Sequence, residues 1–353
     1  MSDDDRLRSI SPILNSYAVK PYFVEDFGSI QKIYSDKGTF ALKKIALSNR
    51  TDFVRHIHFL YQKGYNRIVP IYPATDGRYA VLHKNMLYYL MPWLPNEERE
   101  NQFQKHQQLF RELARLHTLS AKDIKITSDE RNEHYETTVQ QWEKDKGFLD
   151  EFIDQCEKKL YMSPFELMFC LYYHEISQAL LFSQRKLEEW HEKTKDAEKA
   201  RIVLVHGKVS IEHFLFDNRG YGYFINFEQS RPASPAHDLL PFLSRTLKTY
   251  PRQCNDCIDW VYSYFKYFPF KEGEMMLFLS YLAYPGQIIR TAVDYFQKTT
   301  RKQERKLVQQ LQRHFWHLKN TEFLVMKIDE IERQKKQEKE GSQEKEGAQE
   351  NNS

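Results

Sequence analysis

Residues 204–230 read LVHGKVSIEHFLFDNRGYGYFINFEQS. Strand signals stand at both ends, in RIVLVHG (201–207) and YGYFINFE (221–228), so the stretch predicts a hairpin. His206, Lys208, Glu212, His213, Asn226 and Glu228 are set into an apolar frame that includes Phe214 and Phe216. The flanks have a different rhythm. From Glu97 to about Ala200, and again from Asp238 to about Arg333, the pattern is mostly helical, with Phe103, Leu109, Leu113 and Leu116 near one stripe. The hairpin therefore interrupts a helical region.

Ahead of that region the signals are those of strands. YFVEDFGSIQKIYSDKGTFALKKIAL (22–47) contains short β-prone runs broken by Gly28 and the turn SDKG, which predicts a meander. SNRTDFVRHIHFLYQKGY (48–65) reads as a helix capped by Ser48 or Thr51, with Phe53, Ile57 and Leu60 inward and Gly64 at its end. RIVPIYPATDGRYAVLHKNMLYYLMPWL (67–94) returns to strands, with TDGR as a hairpin turn. The expected class is α+β. Residues 1–20 are an N-terminal extension with a short helix carrying Leu7, Ile10 and Leu14, 21–94 a small β-rich lobe, and 95–333 a helical lobe holding the hairpin at 201–230. Residues 334–353, a near-repeat of QEKEG with nothing large and apolar to bury, are expected to be a disordered charged tail.

Composition narrows the function classes. Hydrophobic residues make up 41% of the 353, enough for a packed core, so global disorder is excluded. The 52 basic residues nearly balance the 49 acidic ones, so the strong positive field that generic nucleic-acid binding needs is missing. FELMFCLYYHEISQALLF (165–182) carries Glu166, His174 and Glu175 and is a buried helix rather than a membrane span, which needs about 18 or more apolar residues. MSDDDRLRSISP is acidic without an apolar core, so no signal peptide is expected. Four cysteines in a chain of this length do not make a disulfide framework, and a reducing compartment is the default.

A small β-rich lobe followed by a helical lobe broken by a hairpin is the layout of the bilobal protein-kinase-like fold. FALKKI, YYLMPWL, LARLHTLS, LVHGKVSIEHFLF, YFINFE and HDLLPFL resemble the aminoglycoside-phosphotransferase and choline-kinase-like branch over most of residues 20–320, and within it the spore-coat members. In active members of that branch the loop reads His-Gly-Asp, four residues, then Asn. The Asp serves the acceptor hydroxyl and the Asn helps hold magnesium. A later Ile-Asp-Phe or Ile-Asp-Trp supplies the main metal-binding carboxylate.

Here His206 and Gly207 match, but Lys208 stands at the catalytic Asp, His213 at the Asn, and Asn226, between Ile225 and Phe227, at the metal-binding Asp. Phosphoryl transfer rests on positioning and on charge neutralisation by metal, and magnesium prefers hard anionic oxygens. An ammonium, an imidazole and an amide supply none. The resemblance therefore implies a pseudokinase, with no catalytic residues, metal site or cofactor expected. The alternative is an atypical phosphotransferase using ATP and magnesium through Glu228 and Glu212, or a nucleotide-binding regulator without turnover.

Lys43 in FALKK stands where the family's phosphate-orienting lysine would be, with Lys44 as a competitor and an ordinary solvated strand lysine as the plain reading. The following helix has no Glu to pair with it, only Asp52, and EDFGSIQKIYS has a single glycine where a phosphate-covering loop usually has several. His206 would anchor the hairpin loop, Phe214 and Phe216 would pack beneath it, and Asp238 would cap the helix beginning DLLPFL.

Other signals carry less. Cys254 and Cys257 form a lone C-x-x-C, short of the roughly four ligands of a zinc site, and Cys156 and Cys170 are distant in sequence. Oxidation of the pair becomes relevant in an extracellular coat. His56 and His58, two apart on a helix, point to different faces. Leu307, Leu311, Phe315 and Leu318 mark an amphipathic helix with a solvated basic face, an acidic protein partner being the alternative use. The 22 tyrosines are expected to fill core and edges. The resemblance implies synthesis in the mother-cell cytoplasm, assembly into the spore coat, other coat proteins as partners, no nucleic acid, no membrane span, and no identified small ligand.

Overall fold

The computed structural model describes residues 3–46, 52–94, 96, 102–247, 253–298 and 301–350. The chain divides into two compact units, residues 1–122 with 202–238 and residues 123–201 with 239–353. It is an α+β protein.

The first unit is built on an antiparallel five-stranded sheet. Its strands are β1 (Pro21–Asp26), β2 (Ile30–Ser35), β3 (Gly38–Ala46), β4 (Val81–His83) and β5 (Met86–Pro92), in the order β1-β2-β3-β5-β4. SDKG makes the β2–β3 turn, closing with Ser35 opposite Gly38. TDGR does not join two strands. Pro70 and Pro73 lack the N–H a ladder needs, and residues 67–72 make only the isolated bridges Ile68–Phe224 and Tyr72–Leu90. The β4–β5 hairpin turns instead at Lys84 and Asn85, both at positive φ (46° and 60°), as a two-residue primed turn requires.

Helix α1 (Asp3–Asn15) is no mere extension. Pro12 lies inside it without ending it, and Ile10, Ile13 and Leu14 enter the sheet's core beside Val24, Ile33, Leu42 and Leu90. Helix α2 (Asp52–Gln62) buries Phe53, Ile57 and Leu60, and Gly64 at φ 80° turns the chain out of it. The capping residues expected for α2, Ser48 and Thr51, lie outside the described residues.

The unit's remaining parts are α3 (Gln102–Ser120), the first residue of β6 (Lys122–Lys125), the end of β7 (Lys199–Val205), β8 (Phe214–Phe216), β9 (Gly222–Phe224) and β10 (Arg231–Ala233). The sequence reading assigned α3 and the hairpin to the helical lobe, whereas the structure groups both with the sheet. The causes are local. The Val69 N–H donates to Phe224 O (3.0 Å), the Phe224 N–H donates to Arg67 O (2.9 Å), and the Tyr65 hydroxyl reaches Glu112 O (3.1 Å).

The second unit is helical: α4 (Ser128–Glu157), α5 (Pro164–Thr194), most of α6 (Ala236–Thr246), α7 (Asn255–Tyr267), α8 (Glu272–Ala283), α9 (Gly286–Lys298) and α10 (Arg301–Glu350). Helices α4 and α5 each start with a complete capping box, Thr127 with Glu130 and Ser163 with Glu166. Their core joins Trp142, Phe152, Phe165, Phe169, Ile176 and Leu187 to Leu311 and Leu318 of α10. Helix α5 is buried on one face only, since Leu167, Leu171 and Leu181 are exposed. Helix α10 continues to Glu350, so the backbone is helical through 334–350 where disorder was expected. Lys, Glu and Gln are good helix formers, and three-apart pairs such as Lys335–Glu332 support the first part of this stretch. Among the described residues no helix is long and apolar enough to cross a membrane.

Candidate functional site

The hairpin residues and Lys43 meet within the first unit. Lys43 lies on the central strand β3, in register with Tyr89 of β5. Strand alternation decides between the two neighbouring lysines: Lys43 is buried and Lys44 is exposed. The Lys43 ammonium donates to Asn226 Oδ1 and to Glu228 Oε1. The Tyr89 hydroxyl donates to the same Glu228 oxygen at 2.6 Å. The ion pair is largely dry, with 11% of the Lys43 side chain and 10% of the Glu228 side chain exposed.

Asn226 reaches Lys43 because its backbone is left-handed (φ 69°, ψ 51°), a conformation Asn tolerates. Glu228 belongs to the 3-10 turn Phe227–Gln229 that follows. Burial would raise the Glu228 carboxyl, but the charge and hydrogen bond of Lys43 and the bond from Tyr89 outweigh it and hold the group below the ordinary carboxylate range. Burial lowers Lys43, with Glu228 offsetting part of the effect. Burial raises the Tyr89 phenol far above its usual value, so it stays a donor.

Behind this cluster lies a buried frame. His206 Nε2–H donates to Ile225 O (2.7 Å) while its Nδ1 accepts the Lys208 N–H (3.2 Å), a pattern that assigns a neutral ring. Complete burial lowers its affinity for a second proton. Asp238 accepts the N–H groups of His206 (2.7 Å) and Gly207 (2.8 Å), and its Oδ2 lies 3.1 Å from His117 Nε2. It is thus a clamp on the hairpin loop. It does not cap a helix, because α6 begins earlier, at Ala236. Gly207 (φ 83°) is fixed by sterics, since a Cβ there would stand 2.3 Å from Gln229 O. Phe214 and Phe216 are buried and meet edge to face, as the sequence suggested.

Other expected site residues are placed differently. Lys208 is exposed, and the ion-pair partner of Glu228 is Lys43. His213 donates its Nδ1–H to Lys208 O (2.8 Å) within the loop. Glu212 is exposed on the 3-10 turn Ile211–His213, so the two suspected carboxylates occupy different settings. Sequence reading missed Tyr89 and weighed His56 only as a metal ligand beside His58. The His56 Nδ1 lies 2.8 Å from Ser230 Oγ, so α2 offers the hairpin an imidazole rather than a carboxylate. His58 packs edge-on against Tyr79.

The β1–β2 turn is likewise self-satisfied. The Gly28 N–H donates to Asp26 Oδ1 (2.8 Å), and the Phe27 N–H donates to Ile30 O (2.9 Å). A phosphate would meet a carboxylate there instead of open N–H groups. The buried cluster offers one carboxylate, already matched by a protein ammonium, whereas magnesium prefers several anionic oxygens. This donor set does not fit a magnesium–triphosphate.

Residues 30–253 match the model of the phosphotransferase enzyme family. Among solved structures, the chain is similar to an aminoglycoside phosphotransferase from Alicyclobacillus acidocaldarius, with a TM-score of 0.65 and 16% identity over 90% of this chain and 95% of that one. It is also similar to a spectinomycin phosphotransferase solved with ADP and spectinomycin, with a TM-score of 0.53 and 12% identity over 92% of this chain and 99% of that one. At such identities the likeness is one of fold. No curated protein matches the chain by sequence.

Proposed function

The chain belongs to the phosphotransferase enzyme family, and we propose that it is a catalytically silent member, a kinase-like protein used for binding or structure. The observation that carries this reading is the buried contact of Lys43 with Asn226 and Glu228. The lysine expected to meet nucleotide phosphate is neutralised by a side chain of its own protein. The acceptor-side Asp and both metal-ligand positions are Lys208, His213 and Asn226. The resemblance to spore-coat members extends the proposal to an assembly: a coat component made in the mother-cell cytoplasm, with other coat proteins as partners.

Thermal-shift titration of the purified chain with ATP, with and without magnesium or manganese, tests the silent site. No shift and no ATP consumption are expected. Magnesium-dependent stabilisation with ATP consumption that disappears in Glu228→Ala would establish the atypical phosphotransferase instead. Metal-independent stabilisation lost in Lys43→Met would establish a nucleotide-binding regulator. For the assembly, an antibody against the chain should mark the coat fraction of purified endospores from the source bacterium. Confinement to the soluble fraction of growing cells would refute the coat assignment.

A further inference from the structure

The fold brings all four cysteines together as two pairs, both in the second unit. Cys156 of α4 hydrogen-bonds with Cys170 of α5 inside the aromatic core. Cys156 is 1% exposed, and burial pushes its thiol up to about 12. The thiolate is the reactive form, so this pair is chemically quiet.

The second pair also joins one buried and one half-buried thiol, but at the start of a helix. Cys254 is the N-cap residue of α7 and is half-buried, and Cys257 lies one turn on, buried on the same helix as Trp260 and Val261. Their sulfurs are 2.6 Å apart. Both are free thiols, and the contact places each sulfur within reach of the other. The N-terminal end of a helix carries a partial positive charge that favours a thiolate. Zinc needs about four ligands, and among the described residues no group of three or more His, Cys, Asp or Glu could hold a metal.

We propose that Cys254 and Cys257 are a redox-active dithiol that closes to an intramolecular disulfide by exchange with a low-molecular-weight disulfide. The Cys254 thiol gives up its proton, and the thiolate attacks one sulfur of the small disulfide. A mixed disulfide forms on Cys254 and one small thiolate leaves. Cys257 then loses its proton and attacks the Cys254 sulfur, expelling the second small thiolate. Two protein thiols are oxidised, one small disulfide is reduced to two thiols, and the two protons are taken up by the leaving thiolates. The bridge ties the N-cap residue of α7 to its first turn. This chemistry does not depend on nucleotide binding.

The test uses the full, reduced, folded chain with oxidised glutathione, followed by acid quench, alkylation and peptide mass mapping. The expected product has Cys254 joined to Cys257 in a peptide about 2 Da lighter than its reduced, unalkylated form, and carries the alkylating group on Cys156 and Cys170. Four alkylated cysteines, or glutathione retained on Cys254 beside an alkylated Cys257, would overturn the proposal. Cys257→Ser should trap glutathione on Cys254, and absence of that adduct also counts against it. The wild-type map needs no variant to fold.

Discussion

Lys43 of β3 and Glu228 of the turn after β9 form a buried ion pair, and Tyr89 of β5 donates to the same carboxylate oxygen. One oxygen thereby joins two strands of the sheet to the hairpin. Where the residue pattern of the family leads one to expect a lysine waiting for phosphate, the lysine has an internal partner.

Breaking this pair from one side should be costly. Lys43→Met leaves a buried carboxylate, and Glu228→Ala leaves a buried ammonium. Each is expected to lower the unfolding free energy by about 3–5 kcal/mol. The double variant Lys43→Met/Glu228→Leu should recover most of the loss, because neither charge remains. Guanidinium unfolding midpoints check this, and single variants as stable as wild type would contradict the dry setting.

Restoring the anions should restore the ligand. Lys208→Asp, His213→Asn and Asn226→Asp together are expected to give stronger magnesium-dependent stabilisation by ATP than the wild type shows. The left-handed backbone at 226 accepts Asp as it accepts Asn. Calorimetric titration with ATP and magnesium reads the gain.

Stability should fall in two acid steps. His206 is held below the ordinary histidine value by burial, so between that lowered value and about pH 6.5 the unfolded chain binds a proton that the native chain does not. Its contribution is complete above about pH 6.5 and declines as pH drops below that value. Glu228 and Asp238 are buried, which alone would raise them, yet their partners hold both below the carboxylate range. Their contribution is complete above about pH 4 and is lost at lower pH. Urea unfolding across pH should show both limbs, and His206→Gln should reduce the first, to which His56, His134 and His213, likewise lowered by desolvation, also contribute.

Two glycines with the same backbone angle should respond differently to alanine. Gly207 and Gly28 have φ of 83° and 82°, but a Cβ meets Gln229 O at 2.3 Å in the first and nothing within 4 Å in the second. Gly28→Ala should cost about 1 kcal/mol from the left-handed backbone alone. Gly207→Ala should cost more, because the loop clamped by Asp238 must also shift. Equal unfolding midpoints for the two variants would show that the loop yields freely.

Much of the fold was legible because periodicity and turn chemistry act locally. The strands of the meander, α2, α3 and the hairpin all follow from alternation, helical stripes and Gly positions. The grouping of the hairpin with the sheet was not legible, since it depends on backbone bonds such as Phe224 to Arg67 that no local pattern encodes. At the site, the altered identities of Lys208, His213 and Asn226 could be read directly. The partner of Lys43 could not, because 185 residues separate it from Glu228 along the chain. Tyr89 gave no signal at all, one tyrosine among 22.

The first unit is discontinuous: residues 1–122 need 202–238 to complete it. On the ribosome, the sheet emerges well before the hairpin, with Asp123–Arg201 made in between. At about 5–20 residues per second that interval lasts several seconds. Throughout it the Lys43 ammonium has no Glu228 to meet. Burial of that charge is therefore expected to wait for translation of the long helices α4 and α5.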